Sequence, residues 1–311
     1  MTSLINSAGA ELAVQDRGSG PPVVLVHGSL DDHRSWDHVV PALTDRFTVL
    51  TWDRRGHGAS TCPPGQGHLS DDVADLAAVI RTSSPEPALV VGHSYGACVA
   101  MVLAAEQPEL TCGVLLHQPP LFSVLADDPA TAEIAREATA ALRRAAQLIE
   151  SGAVEEGVRH FVDEAAFGPG TWEGLFTEEL RETCRAHADT WLDQSRDPER
   201  LALRPALLQD YPYQVVLSHG DSGPTAYDGV VQALVAALPQ AKLRVIPGAG
   251  HAPHLSHPQE FAALVRDAAC TPWTSRNCSW LQRKPKPRMR HFDECDGRSR
   301  RGWTGVRICA S

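Results

Sequence analysis

Apolar positions along the chain fall into short unbroken runs, separated by longer stretches with a helical period. Val23-Val24-Leu25-Val26, the run from Phe47 to Trp52, Ala88-Leu89-Val90-Val91, Val114-Leu115-Leu116 and Val215-Val216-Leu217 carry almost no polar interruption. Runs of that length and composition are the mark of strands covered on both faces. Residues 10–17 alternate instead, as an antiparallel strand does, and Gly18-Ser19-Gly20-Pro21-Pro22 reads as a turn. Between the runs, residues 71–82 place Val73, Leu76, Ala77 and Ile80 on one helical face, with Ser70 as the expected N-cap. Residues 97–106 and 226–238 are further expected helices, 242–246 a strand, and 258–269 a closing helix.

Two stretches break this alternation. Residues 119–205 are rich in Ala, Leu, Glu and Arg; one helix is expected from Asp128-Pro129 to Glu150, with Gly152 past its end, and two more near 154–166 and 175–195. Phe161, Phe167, Trp172, Phe176 and Trp191 are the candidates there to line a pocket. From Cys270 onward the chain is laced with Arg, Cys and Trp and has neither period, so residues 270–311 are expected to be a basic, disordered tail outside the domain.

Charge follows the same boundary. The net charge is −10, but residues 270–311 carry ten Lys/Arg against three Asp/Glu, a net of +7, which leaves −17 for residues 1–269. An acidic body argues against a nucleic-acid partner and against steering of anionic substrates. No apolar run approaches the roughly 18 residues of a membrane span, and Met1-Thr2-Ser3-Leu4-Ile5-Asn6 has neither a basic nor an apolar leader region. The expectation is a cytoplasmic protein with a small-molecule substrate and no membrane partner. None of the eight Cys falls in a C-x-x-C pair, so a zinc site has little support; no metal or organic cofactor is expected.

The chemistry centres on Gly92-His93-Ser94-Tyr95-Gly96, between an apolar run and an Ala-rich helical stretch. In a strand–turn–helix of this kind the turn holds its serine in a cramped backbone conformation, which requires small residues two before and two after. Ser94 is therefore the candidate nucleophile, and the Tyr95 amide at the helix start faces charge developing beside it. His27-Gly28-Ser29 ends an earlier strand, and the Ser29 amide is the candidate second oxyanion donor. Acyl transfer also needs a base near neutral pKa and a group to orient it. His251, after small residues in Gly248-Ala249-Gly250-His251, is the candidate base.

His-Gly after an early strand, Asp53-Arg54-Arg55-Gly56-His57-Gly58-Ala59-Ser60, Gly-His-Ser-Tyr-Gly, and Gly-Ala-Gly-His with Pro258 and Phe261 together resemble the α/β-hydrolase superfamily over residues 10–268. The resemblance implies an α/β-hydrolase fold, with a mostly parallel central sheet, helices on both faces and a helical cap inserted at 119–205. The core would then be residues 1–118 and 206–269. It implies a serine hydrolase cleaving a small, mostly apolar ester or related carbonyl substrate through an acyl-enzyme. C–C bond hydrolysis, cofactor-free perhydrolysis and a non-catalytic or weakly catalytic ligand-binding role are the alternatives. Dehalogenase and epoxide-hydrolase relatives carry Asp where Ser94 stands, and epoxide opening draws on cap tyrosines that 119–205 lacks. Members commonly place the triad acid about three residues past a glycine after the penultimate strand, which here falls on Gly223. Asp221 beside it is the expected acid. Other members carry the acid after the strand preceding the cap, where Gln118 stands and where the relatives this chain most resembles tend to have Glu.

Overall fold

In the computed structural model, which describes residues 2–126 and 128–269, eight strands form one sheet in the order β1-β2-β4-β3-β5-β6-β7-β8. They are β1 (Thr2–Ser7), β2 (Ala10–Gly18), β3 (Pro22–Val26), β4 (Thr48–Trp52), β5 (Ala88–His93), β6 (Thr111–His117), β7 (Gln214–Gly220) and β8 (Lys242–Ile246). From β4 to β8 neighbouring strands run parallel; β1 and β2 are antiparallel additions at one edge. β1 escaped sequence analysis because it is an edge strand burying only Ile5, so its apolar signal is one residue long.

The continuous apolar runs are explained by what lies above and below them. Val24, Val26, Val90, Val114 and Leu116 join one core cluster, packed under α1 (Leu69–Ser83), α2 (Tyr95–Glu106) and α9 (Thr225–Ala237). Their neighbours Val23, Leu25, Leu89, Val91 and Leu115 point the other way, into a second cluster with Trp36 and with Phe261 and Val265 of the closing helix α10 (Pro258–Ala269). Alternate residues of each strand thus feed opposite faces, and both faces are dry. No helix among the described residues is long and apolar enough to cross a membrane.

Residues 119–205, between β6 and β7, form α3 (Ala132–Glu150), α4 (Val154–His160) running into a π-helical turn (Phe161–Ala166), α5 (Thr171–Gly174), α6 (Glu178–Ala186), α7 (Ala188–Arg196) and α8 (Pro198–Leu201). The single helix expected at 175–195 is two helices, broken at His187. The hydrophobic cluster of this segment gathers Ile149, Phe161, Trp172, Phe176, Trp191 and Leu192 around Leu30 of the sheet's loops. α1 begins at Leu69, with His68 and not Ser70 at its N-cap. The reason is distant in sequence: the carboxylates of Asp197 and Glu199 accept from the Leu69 and Ser70 amides at 2.7 and 2.9 Å. The tail expected at 270–311 lies outside the described residues.

Candidate active site

β3 sits between β4 and β5, so successive connections leave it in opposite directions and open a crevice at the strands' C-terminal ends, where open α/β sheets bind ligands. His27-Gly28-Ser29 follows β3, Ser94 follows β5, and Gln118 follows β6. His93 pairs with His117 across the two strands, and the Ser94 amide donates to His117 O at 2.9 Å. Ser94 and Gln118 therefore stand side by side at the sheet's rim. Both have positive φ, 53° and 44°, a conformation that non-glycine residues hold only when their surroundings enforce it. At Ser94 the enforcement is visible. A Cβ on Gly92 would collide with Gly96 O, and one on Gly96 with Val26 O, so the strand, turn and helix close up only around glycines.

His251 is buried at 1% exposure, at the end of the loop after β8. Its Nδ1 lies 2.9 Å from Gln118 Oε1, and its backbone carbonyl accepts from His93 Nε2 at 2.9 Å. With Nδ1–H donated to the amide oxygen, the ring's lone pair is on Nε2. Burial, then the neighbouring His93, His117 and His254, holds His251 well below the usual imidazole range, so the ring is neutral at neutral pH. Tyr227 of α9 stacks on it, with centroids 4.0 Å apart and 28° between planes, and Phe167 meets it edge-on at 5.1 Å.

The expected acid is displaced. Asp221 is exposed, and its carboxylate accepts from the Gly248 amide at 2.7 Å, pinning the loop before His251 without touching the ring. The side-chain partner of His251 is Gln118, the alternative position named from the resemblance, and no carboxylate partners His251 among the described residues. The vacancy at Gly223 is also plain: a Cβ there would meet the His251 backbone N at 3.5 Å.

Tyr95 is the first residue of α2, where its N–H has no intrahelical acceptor. The Ser29 amide donates to no acceptor among the described residues, while Ser29 Oγ donates to Gln194 Oε1 of α7 at 2.6 Å. Behind Ser29 the loop is rigid. His27 Nε2 accepts from the Arg54 amide at 3.0 Å, and the Arg54 guanidinium, itself buried, bridges Gly28 O and Asp72. The Asp53–Ser60 loop is tied down locally: Asp53 accepts from the His33 and Ala59 amides.

Two spaces open beside Ser29. A cavity of about 390 Å³ is lined by Leu121, Phe122, Leu142, Trp191, Gln194 and Arg200, among others. A second, of about 20 Å³, is walled by Phe161, Phe167, Phe176, His93, Asp31 and His254. Of the aromatic candidates, Trp172 lines neither; it packs beneath Phe176. Donor atoms of Asp31, His93 and His254 lie within 4.8 Å of one another, a set that suits a transition-metal ion. The other such group, Asp32, His33 and Asp53, has its donors committed to Arg34 and to each other.

The family model described as "Alpha/beta hydrolase family" matches residues 23–264. The chain belongs to the alpha/beta hydrolase family. It is 29% identical over 265 residues, 82% of this chain and 98% of the relative, to a pimeloyl-[acyl-carrier protein] methyl ester esterase of Nitrosomonas europaea. It is 36% identical over 104 residues to a 2-(acetamidomethylene)succinate hydrolase of Mesorhizobium japonicum, a match spanning 33% of this chain and 37% of that relative. Among solved structures, an alpha/beta hydrolase of Sphaerobacter thermophilus superposes with a TM-score of 0.70 at 23% identity, covering 86% of this chain and all of the other. In this alpha/beta hydrolase, sequence analysis missed Tyr227 altogether. Its phenol is raised by burial, and Arg200 and the Ser94 hydroxyl draw it partly back. Nothing local marks Tyr227; only the fold brings α9 beside His251.

Proposed function

We propose that the protein is a serine hydrolase that cleaves a small ester or related carbonyl substrate through an acyl-enzyme. Ser94 is the nucleophile. His251 Nε2 takes its proton as Oγ attacks, and the Ser29 and Tyr95 amides receive the oxyanion. The same imidazole then returns the proton to the leaving group, and water repeats the sequence on the acyl-enzyme. The helical segment 119–205 acts as a cap, with Phe167 excluding water from the base. The observation that carries this reading is the 2.9 Å contact of His251 Nδ1 with Gln118 Oε1, an oxygen that can only accept. Nδ1 is thereby committed as donor, so the free lone pair is the one a Ser94 proton needs.

Gln118 holds the ring but supplies no charge, so the imidazolium formed at the transition state is stabilised less than a carboxylate would stabilise it. That observation favours a slow hydrolase, and it is also what a ligand-binding member with little turnover would show. Hydrolysis of p-nitrophenyl acetate by wild type, Ser94→Ala and His251→Asn decides between them. Turnover above buffer that both substitutions remove supports the hydrolase; turnover they leave untouched contradicts it.

A further inference from the structure

The acidic composition predicts no affinity for anions, yet the 390 Å³ cavity beside Ser29 is not acidic inside. Its one carboxylate, Glu150, is tied to Arg196. Arg200 of α8 and Arg143 of α3 also line it, and among the described residues neither guanidinium has a carboxylate or hydrogen-bond partner. Arg143 is exposed, whereas Arg200 is half-buried. Arg200 acts inward: burial raises the pKa of Tyr227, Tyr95 and Cys98, the Arg200 charge opposes that rise, and all three side chains lie around the Ser94 turn.

A half-buried guanidinium on a cavity wall, with no protein partner among the described residues, is open to an incoming anion. Its planar fork suits a carboxylate, which it binds through two parallel N–H···O bonds. The rest of the wall, Leu121, Phe122, Leu142 and Trp191, is apolar and suits a short aliphatic or planar spacer. The volume fits one small ligand.

We propose that Arg200 is a substrate-binding residue that takes a carboxylate distal to the scissile carbonyl, so that the substrate is a half-ester or half-amide of a short dicarboxylic acid, or a close analogue. This deepens the hydrolase reading and rests on it for the scissile bond, and it replaces the expected apolar substrate with an anionic one. The exposed Arg143 guides the anion in; Arg200 fixes it.

The test pairs p-nitrophenyl hemi-esters of succinate, glutarate and adipate with the neutral butyrate, valerate and hexanoate esters, at low salt. At least one hemi-ester is expected to exceed its neutral counterpart in kcat/KM by about tenfold or more. Arg200→Gln should lower that ratio by at least tenfold, and Arg200→Lys, which keeps the charge without the fork, by less. In parallel, glutarate alone should raise the melting temperature of wild type but not of Arg200→Gln, and 0.5 M NaCl, where the Debye length is about 4 Å, should shrink the shift. A preference for the neutral esters overturns the inference, as does a hemi-ester preference or glutarate shift that survives Arg200→Gln. If no ester is turned over but glutarate stabilises through Arg200, the anion site stands and the hydrolase reading falls. If esters are turned over without preference and glutarate has no effect, the reverse holds.

Discussion

Gln118→Glu should turn the protein into a faster hydrolase. Gln118 is 1% exposed and its Oε1 sits 2.9 Å from His251 Nδ1, so a carboxylate there would keep the hydrogen bond and add a full charge. Two unit charges about 4 Å apart interact by about 4 kcal/mol at an effective dielectric constant near 20. The imidazolium is only partly formed at the transition state, so about 3–4 kcal/mol is the usable share, or about 10²–10³ in kcat/KM. Swapping a triad carboxylate for an amide costs about 10⁴ where the amide also imposes the wrong tautomer. Here Oε1 already imposes the right one, which is why the expected gain is smaller. The cost falls on stability, because an unpaired carboxylate is buried in the free enzyme. The assay is initial-rate hydrolysis of p-nitrophenyl acetate, with circular dichroism to verify the fold. A folded Gln118→Glu protein with no gain, or with a loss, would refute the assignment of residue 118 as the orienting group.

Tyr227→Phe keeps the ring on His251 and removes the hydroxyl that engages Ser94; with the stacking retained, the rate should change by no more than about tenfold, and a fall of more than tenfold would mean the phenol takes part in the reaction. The acid limb of kcat/KM should lie well below pH 6.5, since burial keeps the His251 pKa low; a limb at 7 or above would contradict a neutral buried base. Stability should fall steeply with acid. His27, His57, His93, His117, His187, His251 and His254 are all held below the usual imidazole value, with His93 and His187 at about 4. The unfolded chain then binds more protons than the native one between about pH 6.5 and 4, and stability present above 6.5 is lost as pH drops through that window. Asp31, raised to about 7, and Asp72, His33 and His68, also raised, oppose the trend but are fewer; urea midpoints that do not fall between pH 7 and 5 would count against the buried histidine cluster. Gly96→Ala drives a methyl into Val26 O and should cost about 1–3 kcal/mol along with activity, measured by urea melts; a neutral result would mean the turn around Ser94 is looser than described.

What could be read from sequence depended on how local each signal was. β3, β5, β6 and β7 are unbroken apolar runs because both faces of the sheet are covered, and Gly92 and Gly96 announce the Ser94 turn because their spacing is the turn's own steric requirement. The partner of His251 has no such local signal, and the resemblance offered Gln118 only as the alternative to Asp221. Asp221 follows β7 at a suitable distance along the chain, but its carboxylate turns outward to the Gly248 amide, while Gln118, from a different strand, reaches His251 through the sheet register. Tyr227 and Arg200 are invisible for the same reason: each reaches the site only through the packing of α9 and α8. The cap of α1 by Asp197 and Glu199 and the break at His187 between α6 and α7 are likewise products of tertiary contact overriding local pattern.

The most direct test of a working Ser94–His251 pair is intact mass after brief exposure to a fluorophosphonate, run on wild type and Ser94→Ala together. Rapid addition of a single phosphonyl group to wild type, absent from Ser94→Ala, is the expected result. No addition to a folded wild-type protein, or equal addition to both, would contradict it.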